Sequence, residues 1–265
     1  MIRVLLFGDV FGRIGRGAVR SFLEEKKNEL SPDLIITNTD NVSSAKGPTL
    51  KTYRELDEMG VDVMTCGDHI WDYPEVLDIL SQKNTKLIRP YNYPAICPGK
   101  GFIEVEAKGQ KVIIASMLGR VWTKEGLDSP FYKTDELLEK IDSKIVIVDF
   151  HAEATSEKYA YAWNFAEKIT AVIGSHTHVQ TADAKILNGF TGYMTDVGFC
   201  GPQQSVIGAI PEESIKIFRT GIKTSLKPAK GLAQINAVIL DIDEKSGKTL
   251  KITPINESDI DLSRT

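Results

Sequence analysis

Eight side chains that can bind metal ions or transfer protons stand at five well-separated places in the sequence. They are Asp9, Asp40, Asn41, Asp68, His69, His151, His176 and His178, and they include all four histidines of the chain. Carboxylate and amide oxygens and imidazole nitrogens are common ligands of divalent cations, and an uncoordinated histidine can act as a general acid. We interpret the set as a metal-dependent reaction centre.

These candidate ligands outnumber what one ion can use. A single histidine after a strand is more often a hydrogen-bonded structural residue than a ligand, but that explanation would have to hold at five places together. Clustered carboxylates without a cation would also repel one another. Two divalent ions that share a bridging carboxylate would use the set well, as in sites that promote in-line phosphoryl displacement. Oxygen and imidazole ligands without thiolate favour iron or manganese, with zinc as an alternative.

Short apolar strands that alternate with helix-period segments must bring these residues together. The pattern predicts strands at 2–7, 34–37, 61–65, 145–150 and 171–174, and helices at about 17–29, 49–59, 73–81, 133–140, 157–169 and 212–219. Such alternation is typical of an α/β fold with mainly parallel strands. Each group of candidate ligands follows one of these five strands, at the end where open α/β sheets bind their ligands.

The other segments add antiparallel neighbours to the predicted sheet. Hairpins are expected at 102–107 with 111–116 and at 233–243 with 249–254, and short strands at 185–187 and 191–195. The chain has no internal repeat, low-complexity tract or linker. We therefore predict a single domain over 1–265, with a small cap excursion at about 198–232.

The composition argues against several classes of protein. Lys and Arg number 32 and Asp and Glu 36, and the formal charge of −4 leaves no basic stripe for a nucleic-acid polymer. The apolar runs are far shorter than the roughly 20 residues of a membrane span. The first residues lack the features of a signal peptide, and the three cysteines match no disulfide framework. We expect a cytoplasmic protein without a membrane partner.

Several motifs resemble those of a known family. The series GD (8–9), NTDN (38–41), GDH (67–69), DFH (149–151) and GSHTH (174–178) resembles the calcineurin-like metallophosphoesterases. The longer runs FGDVFGRIGR, GDHIWD, DFHAEATSEK, GSHTHVQTAD and TDVGFCGP are similar to those of the bacterial YmdB-type branch, which is described as dinuclear cyclic-nucleotide phosphodiesterases. The resemblance implies a four-layer sandwich of mixed, mostly parallel β-sheets packed with helices.

The resemblance also implies two groups of metal ligands around a shared carboxylate. The ligands of the first ion would be Asp9, Asn41 and His178. The ligands of the second ion would be Asp68, His151 and His176. Asp40 would bridge the two ions, a bridging hydroxide would attack phosphorus, and His69 would protonate the leaving oxygen without binding metal.

Three positions depart from the family pattern. Most calcineurin-like enzymes have a histidine two residues after the first aspartate, where this chain has Phe11, and in this branch Asn41 is thought to supply the missing ligand. Asp40 stands where the branch usually has Glu, which shortens the bridge by one methylene. Asp68 replaces the usual Asn, and its added charge should bind the second ion more tightly but weaken the pull of that ion on a phosphate oxygen.

The implied reaction is hydrolysis of a small phosphodiester, either a 2′,3′- or a 3′,5′-cyclic nucleotide or a related compound. The resemblance further implies a homo-oligomer, which the composition does not require. Two alternatives stay open. A metal-dependent amidohydrolase barrel suits the length, but that family carries its HxH motif on the first strand, where this chain has Asp9. A catalytically weak regulatory protein that binds a nucleotide is indicated only by Asp68.

Some further polar residues have two interpretations each. Arg13 and Arg16 lie in a glycine-rich run that fits no standard phosphate loop, so they are either phosphate contacts or surface charges. Arg89 and Asn92 either border a substrate pocket or pack a proline-rich loop. Asp196 either orients a ligating histidine or caps a turn.

Overall fold

Two six-stranded β-sheets form the framework of the chain in the computed structural model, which describes residues 1–123 and 126–264. In spatial order, the first sheet contains β12 (Thr249–Ile260), β11 (Ala233–Ile242), β10 (Phe199–Pro202), β1 (Ile2–Val10), β2 (Leu34–Asn38) and β3 (Val63–Thr65). The second sheet contains β4 (Phe102–Ala107), β5 (Gln110–Leu118), β6 (Ile145–His151), β7 (Ala171–Ser175), β9 (Thr191–Met194) and β8 (Lys185–Leu187).

Parallel pairs lie at the centre of both sheets. Strands β10, β1, β2 and β3 run parallel in the first sheet, and β5, β6, β7 and β9 do so in the second. The antiparallel strands β11, β12, β4 and β8 complete the sheets. The prediction of mixed, mostly parallel sheets is confirmed, and two open sheets are incompatible with the barrel of the amidohydrolase alternative.

Helices cover the outer faces of the paired sheets. The helices are α1 (Gly12–Leu30), α2 (Leu50–Glu58), α3 (Val76–Leu80), α4 (Pro130–Lys140), α5 (Thr155–Asn164) and α6 (Pro211–Thr220), followed by a 3₁₀ turn at Leu262–Arg264. Buried side chains of α1, α2 and α3 pack on the first sheet, and those of α4 and α5 pack on the second. The resulting order of helices, sheet, sheet and helices is the predicted four-layer sandwich.

Strand β1 is buried on both faces, which explains the continuous apolar run in its sequence. Val4 and Leu6 point into the core between the two sheets, whereas Leu5 and Phe7 point into the core beneath α1 and α2. Side chains alternate between the faces of a strand, so a strand buried on both faces needs apolar residues at every position. This strand ends at the candidate centre with Asp9, which is fully buried.

Several elements differ from the sequence-based expectation: α1 begins at Gly12 instead of about residue 17, and β12 continues to Ile260 instead of residue 254. Helix α5 ends at Asn164 instead of continuing to residue 169, and the chain turns over residues 165–168, where Glu167 has a left-handed φ of 69°. Phe165 and Ile169 still reach the core, which explains the apolar period that predicts a longer helix. The sequence does not predict strand β10, since its Phe-Cys-Gly-Pro sequence has no strand pattern and its parallel partner, β1, is remote in sequence.

The segment between β10 and β11 includes α6, while residues 199–202, at the start of the predicted cap excursion, belong to the first sheet. The single-domain organisation stays a prediction. In the described part of the chain, no helix combines the length and the apolar character needed to cross a membrane.

Two glycines of α1 provide a test of how closely this helix approaches β10. A Cβ atom added at Gly15 would lie 2.2 Å from the Cys200 carbonyl oxygen, whereas one added at Gly17 would lie 3.0 Å from a terminal methyl of Leu262. We expect Gly15→Ala to reduce the free energy of unfolding by about 1–3 kcal/mol, because backbone must move. Gly17→Ala should leave it unchanged or raise it by up to about 1 kcal/mol, because alanine is favoured inside helices and the leucine can shift. Urea unfolding of both variants measures this, and equal effects would contradict the close approach.

Candidate metal centre

The carboxyl ends of five strands meet where the two sheets come together. Asp9 lies near the end of β1 and His151 is the last residue of β6, whereas the groups at 40–41, 68–69 and 176–178 follow β2, β3 and β7. The structure brings all eight of those residues into one linked cluster: Asp9, Asp40, Asn41, Asp68, His69, His151, His176 and His178.

His151 lies at the centre of one group of side chains. Its Nε2 atom is 3.2 Å from Asp40 Oδ2 and 3.7 Å from Asp68 Oδ1. The same atom is 3.0 Å from His176 Nδ1. These four residues come from both sheets, and their ligand-type atoms face one another.

A second group lies on the other side of Asp9. His178 Nε2 is 3.7 Å from Asp9 Oδ1, and the Asn41 side-chain nitrogen is 3.1 Å from the same imidazole nitrogen and 3.3 Å from Asp9 Oδ1. A cation here would need the oxygen of the asparagine, not its nitrogen. Rotation of the amide exchanges the two atoms, whose assignment follows from the surrounding hydrogen bonds.

Asp40 lies between the group around His151 and the group around Asp9, and its two carboxylate oxygens have different surroundings. Its Oδ1 atom accepts hydrogen bonds from the backbone amides of Gly67 at 2.7 Å and His69 at 2.9 Å. Its Oδ2 atom is buried and accepts no hydrogen bond of good geometry among residues 1–123 and 126–264, although His151 Nε2 lies 3.2 Å away. A buried carboxylate oxygen without a donor is costly unless a cation neutralises it. This oxygen fits a metal ligand.

The charges around the carboxylates also suit a cation. Burial raises the pKa of the Asp9 carboxyl. The contact with His178 and the positive charge of that imidazole outweigh burial, and the pKa of Asp9 lies below its usual range. At Asp40, burial raises the pKa of the carboxyl and the positive charge of His151 lowers it. The net effect is that the pKa of Asp40 is lowered. Both aspartates are therefore held as anions by positive charge, which bound divalent ions would supply more strongly.

Each imidazole at the two groups has a partner that sets its orientation. His151 Nδ1 lies 2.9 Å from Ser175 Oγ, His178 Nδ1 donates to the Ile207 carbonyl at 2.8 Å, and His176 Nε2 lies 3.0 Å from Glu153 Oε2. The remaining nitrogen of each ring faces the cluster. Metal-binding histidines commonly have such partners on the other nitrogen.

The sequence interpretation missed these orienting groups. Glu153 follows His151 by two residues, so its proximity in the chain was an available signal. The carbonyl of Ile207 leaves no sequence signal, because any residue carries one. Ser175 belongs to a buried network in which its hydroxyl donates to Asp149 at 2.6 Å, and Thr65 Oγ1 also donates to Asp149.

His69 is placed differently from the other histidines. Its side chain is 35% exposed, against 1% for His151, so a substrate can reach it. Its Nδ1 atom is 2.7 Å from Asp72 Oδ2, and its backbone amide donates to Asp40. Asp72 was also missed, although an acidic residue three positions after a histidine in GDHIWD was visible in the sequence.

The structure decides several interpretations that the sequence left open. Arg16 donates to the Val42 carbonyl at 2.7 Å and to Glu55 at 2.8 Å, which supports the segment after Asn41. Arg89 donates to backbone carbonyls of its own loop, and Asn92 donates to the Leu118 carbonyl, so both pack the proline-rich loop.

Comparisons with known proteins match the chain over nearly its whole length. Residues 5–255 match the family model of YmdB-like proteins. The chain is 39% identical, over 96% of each sequence, to a 2′,3′-cyclic-nucleotide 2′-phosphodiesterase of Bacillus subtilis.

Solved structures show the same architecture. A hypothetical protein from Thermus thermophilus matches with a TM-score of 0.91 and 38% identity over 97% of this chain and 100% of that one. A novel phosphatase from Mycoplasma pneumoniae matches with a TM-score of 0.92 and 36% identity over 98% of this chain and 94% of that one. Motifs, fold and comparisons agree, and the chain belongs to the YmdB-like family, with the calcineurin-like metallophosphoesterase fold.

Proposed function

We propose that this chain is a metal-dependent phosphodiesterase that hydrolyses 2′,3′-cyclic nucleotides or closely related small phosphodiesters. The observation that carries the proposal is the position of Asp40, whose carboxylate lies within 4.8 Å of a ligand-type oxygen of Asp9 in one cluster and of Asp68 in another. The activity of the Bacillus subtilis relative, which covers nearly the whole chain, supports the 2′,3′-cyclic class over the 3′,5′-cyclic class.

Two divalent ions suit the donor set. The first would be held by Asp9, Asn41 and His178. The second would be held by Asp68, His151 and His176. Asp40 would contact both, and the mixture of oxygen and nitrogen donors favours iron or manganese, with zinc as the alternative. Bound there, the ions would supply a water of lowered pKa as the nucleophile and positive charge for the phosphoryl oxygens.

His69 would act as the general acid of this reaction. It is partly exposed, it follows Asp68 directly, and its backbone amide donates to Asp40. Asp72 accepts from Nδ1 and orients the ring, which leaves Nε2 to donate a proton to the oxygen that leaves phosphorus. A positioned general acid contributes about 10²–10⁴-fold to a rate.

Asp68 gives the site more negative charge than the family asparagine would. Its Oδ1 atom lies 3.7 Å from His151 Nε2, on the side of the second group. This location supports a ligand role and gives no specific support to a purely regulatory protein. We therefore retain the enzyme as the proposed function.

Metal content and turnover test the proposal directly. Protein purified without chelator should contain two divalent ions per chain and should hydrolyse 2′,3′-cyclic AMP faster than 3′,5′-cyclic AMP or a phosphomonoester. Removal of the ions with EDTA should abolish turnover, and Mn²⁺ should restore it. Elemental analysis and chromatography of the nucleotide products provide the measurements.

Matched aspartate variants separate the centre from general effects of lost charge. Asp40→Asn should lose metal and activity, whereas Asp57→Asn, at an exposed residue paired with Lys86, should retain both. Full turnover by metal-free protein would refute the proposal, and nucleotide binding without hydrolysis by the metal-loaded protein would favour the regulatory alternative.

The general acid has a separate test based on leaving groups. We expect His69→Gln to lower kcat for 2′,3′-cyclic AMP by about 10²–10⁴-fold while metal content stays unchanged. The loss should be much smaller with bis(p-nitrophenyl) phosphate, because p-nitrophenolate leaves without a proton. Asp72→Asn should show the same substrate dependence with a smaller loss.

Asp78→Asn, at an exposed position of α3, is the matched control for the Asp72 variant and should keep wild-type kinetics. Equal losses on both substrates would argue that His69 has another role.

A further inference from the structure

The segment that carries His176 and His178 has an unusual backbone. His176 adopts a φ of 102° and His178 a φ of 64°, both in the left-handed region that residues other than glycine rarely occupy. Such conformations persist only where the surroundings hold them, and they cluster at functional sites. The groups that hold this segment therefore influence where both imidazoles point.

A buried ion pair contacts the backbone on both sides of His176. Lys158 of α5 and Asp196 after β9 are 1% and 0% exposed, and the distance from Nζ to Oδ2 is 2.8 Å. The ammonium donates to the Ser175 carbonyl at 2.7 Å, and Asp196 Oδ2 accepts from the Thr177 amide at 2.9 Å. The pair thus contacts the residue before and the residue after His176.

The surroundings of the pair leave little freedom. Asp196 Oδ1 accepts from the Gly198 amide at 2.9 Å, so both oxygens of this carboxylate are occupied. A Cβ atom at Gly174 would lie 1.8 Å from the Thr195 carbonyl oxygen and 3.1 Å from the Lys158 stem. The His176 amide itself donates to Asp9 Oδ2 at 3.1 Å. Three consecutive residues, 175–177, are therefore tied to buried charges.

Stability alone does not account for such a pair. Desolvation of two charges is costly, and volume-matched uncharged replacements of buried ion pairs are often neutral or stabilising. We propose that Lys158 and Asp196 are positioning residues that fix the backbone on both sides of His176, hold its left-handed φ, and so direct His176 and His178 to the two ion groups. This inference rests on the proposed function, because it requires that the centre binds ions.

A neutral double variant, Lys158→Met with Asp196→Asn, tests the role of the charges. The change approximately keeps side-chain volume and leaves one acceptor oxygen for the backbone. We expect metal-free protein to retain cooperative thermal unfolding at a moderately lower midpoint, because the buried Ser175 carbonyl loses its Lys158 donor. Its affinity for Mn²⁺, measured by titration calorimetry, should fall about 10–100-fold, the usual effect of losing groups that support metal ligands.

The control neutralises a partly exposed ion pair at the opposite end of β1. Arg3 and Asp241 are register partners on β1 and β11, with Nε 2.7 Å from Oδ1, and Arg3→Met with Asp241→Asn should leave Mn²⁺ affinity unchanged. Asp196→Asn alone is the second test variant, in case the double variant does not fold, and it should lower Mn²⁺ affinity in the same direction.

The outcomes separate this inference from the proposed function. Wild-type protein that fails to bind Mn²⁺ would overturn the proposed function. If a folded test variant binds Mn²⁺ with the same affinity as the wild type, only the positioning role would be overturned. Failure of both variants to fold would show that the pair is needed for the fold itself and would also overturn the positioning role.

Discussion

The structure depends on keeping two carboxylates ionised at a fully buried meeting point of two sheets. Asp9 and Asp40 are both 0% exposed, and they come from neighbouring strands whose carboxyl ends face His151 of the other sheet. Negative charge at such a place requires nearby positive charge. Imidazoles lie close to both carboxylates in the described structure, and His151 Nε2 lies 3.2 Å from the buried Oδ2 atom of Asp40.

The orientation of the imidazoles is controlled from outside the cluster. A serine hydroxyl, a backbone carbonyl and a carboxylate each engage one nitrogen of a ring, so the other nitrogen is directed inward. The Lys158–Asp196 pair acts one step further away, on the backbone that carries two of the rings. In metal centres generally, such supporting contacts influence metal affinity nearly as much as the ligands do.

The proposed division of roles follows from differences in burial. His151 and His178 are enclosed and face carboxylates, whereas His69 is accessible and is paired with Asp72 at the edge of the cluster. An enclosed imidazole suits a ligand, and an accessible one suits proton transfer to a substrate. Many functions occur on one fold, so these local differences, and not the four-layer architecture, carry the functional argument.

The sequence by itself determined the alternation of strands and helices, the family, and the set of eight polar residues, because each depends on local pattern or on motifs of contiguous residues. It did not reveal β10, the early end of α5, or the partners Glu153, Ile207 and Lys158. Those depend on contacts between segments far apart in the chain, and a backbone carbonyl or a left-handed φ has no residue type of its own. Only the tertiary structure decided which nitrogen of each imidazole faces the centre and which charges hold it there.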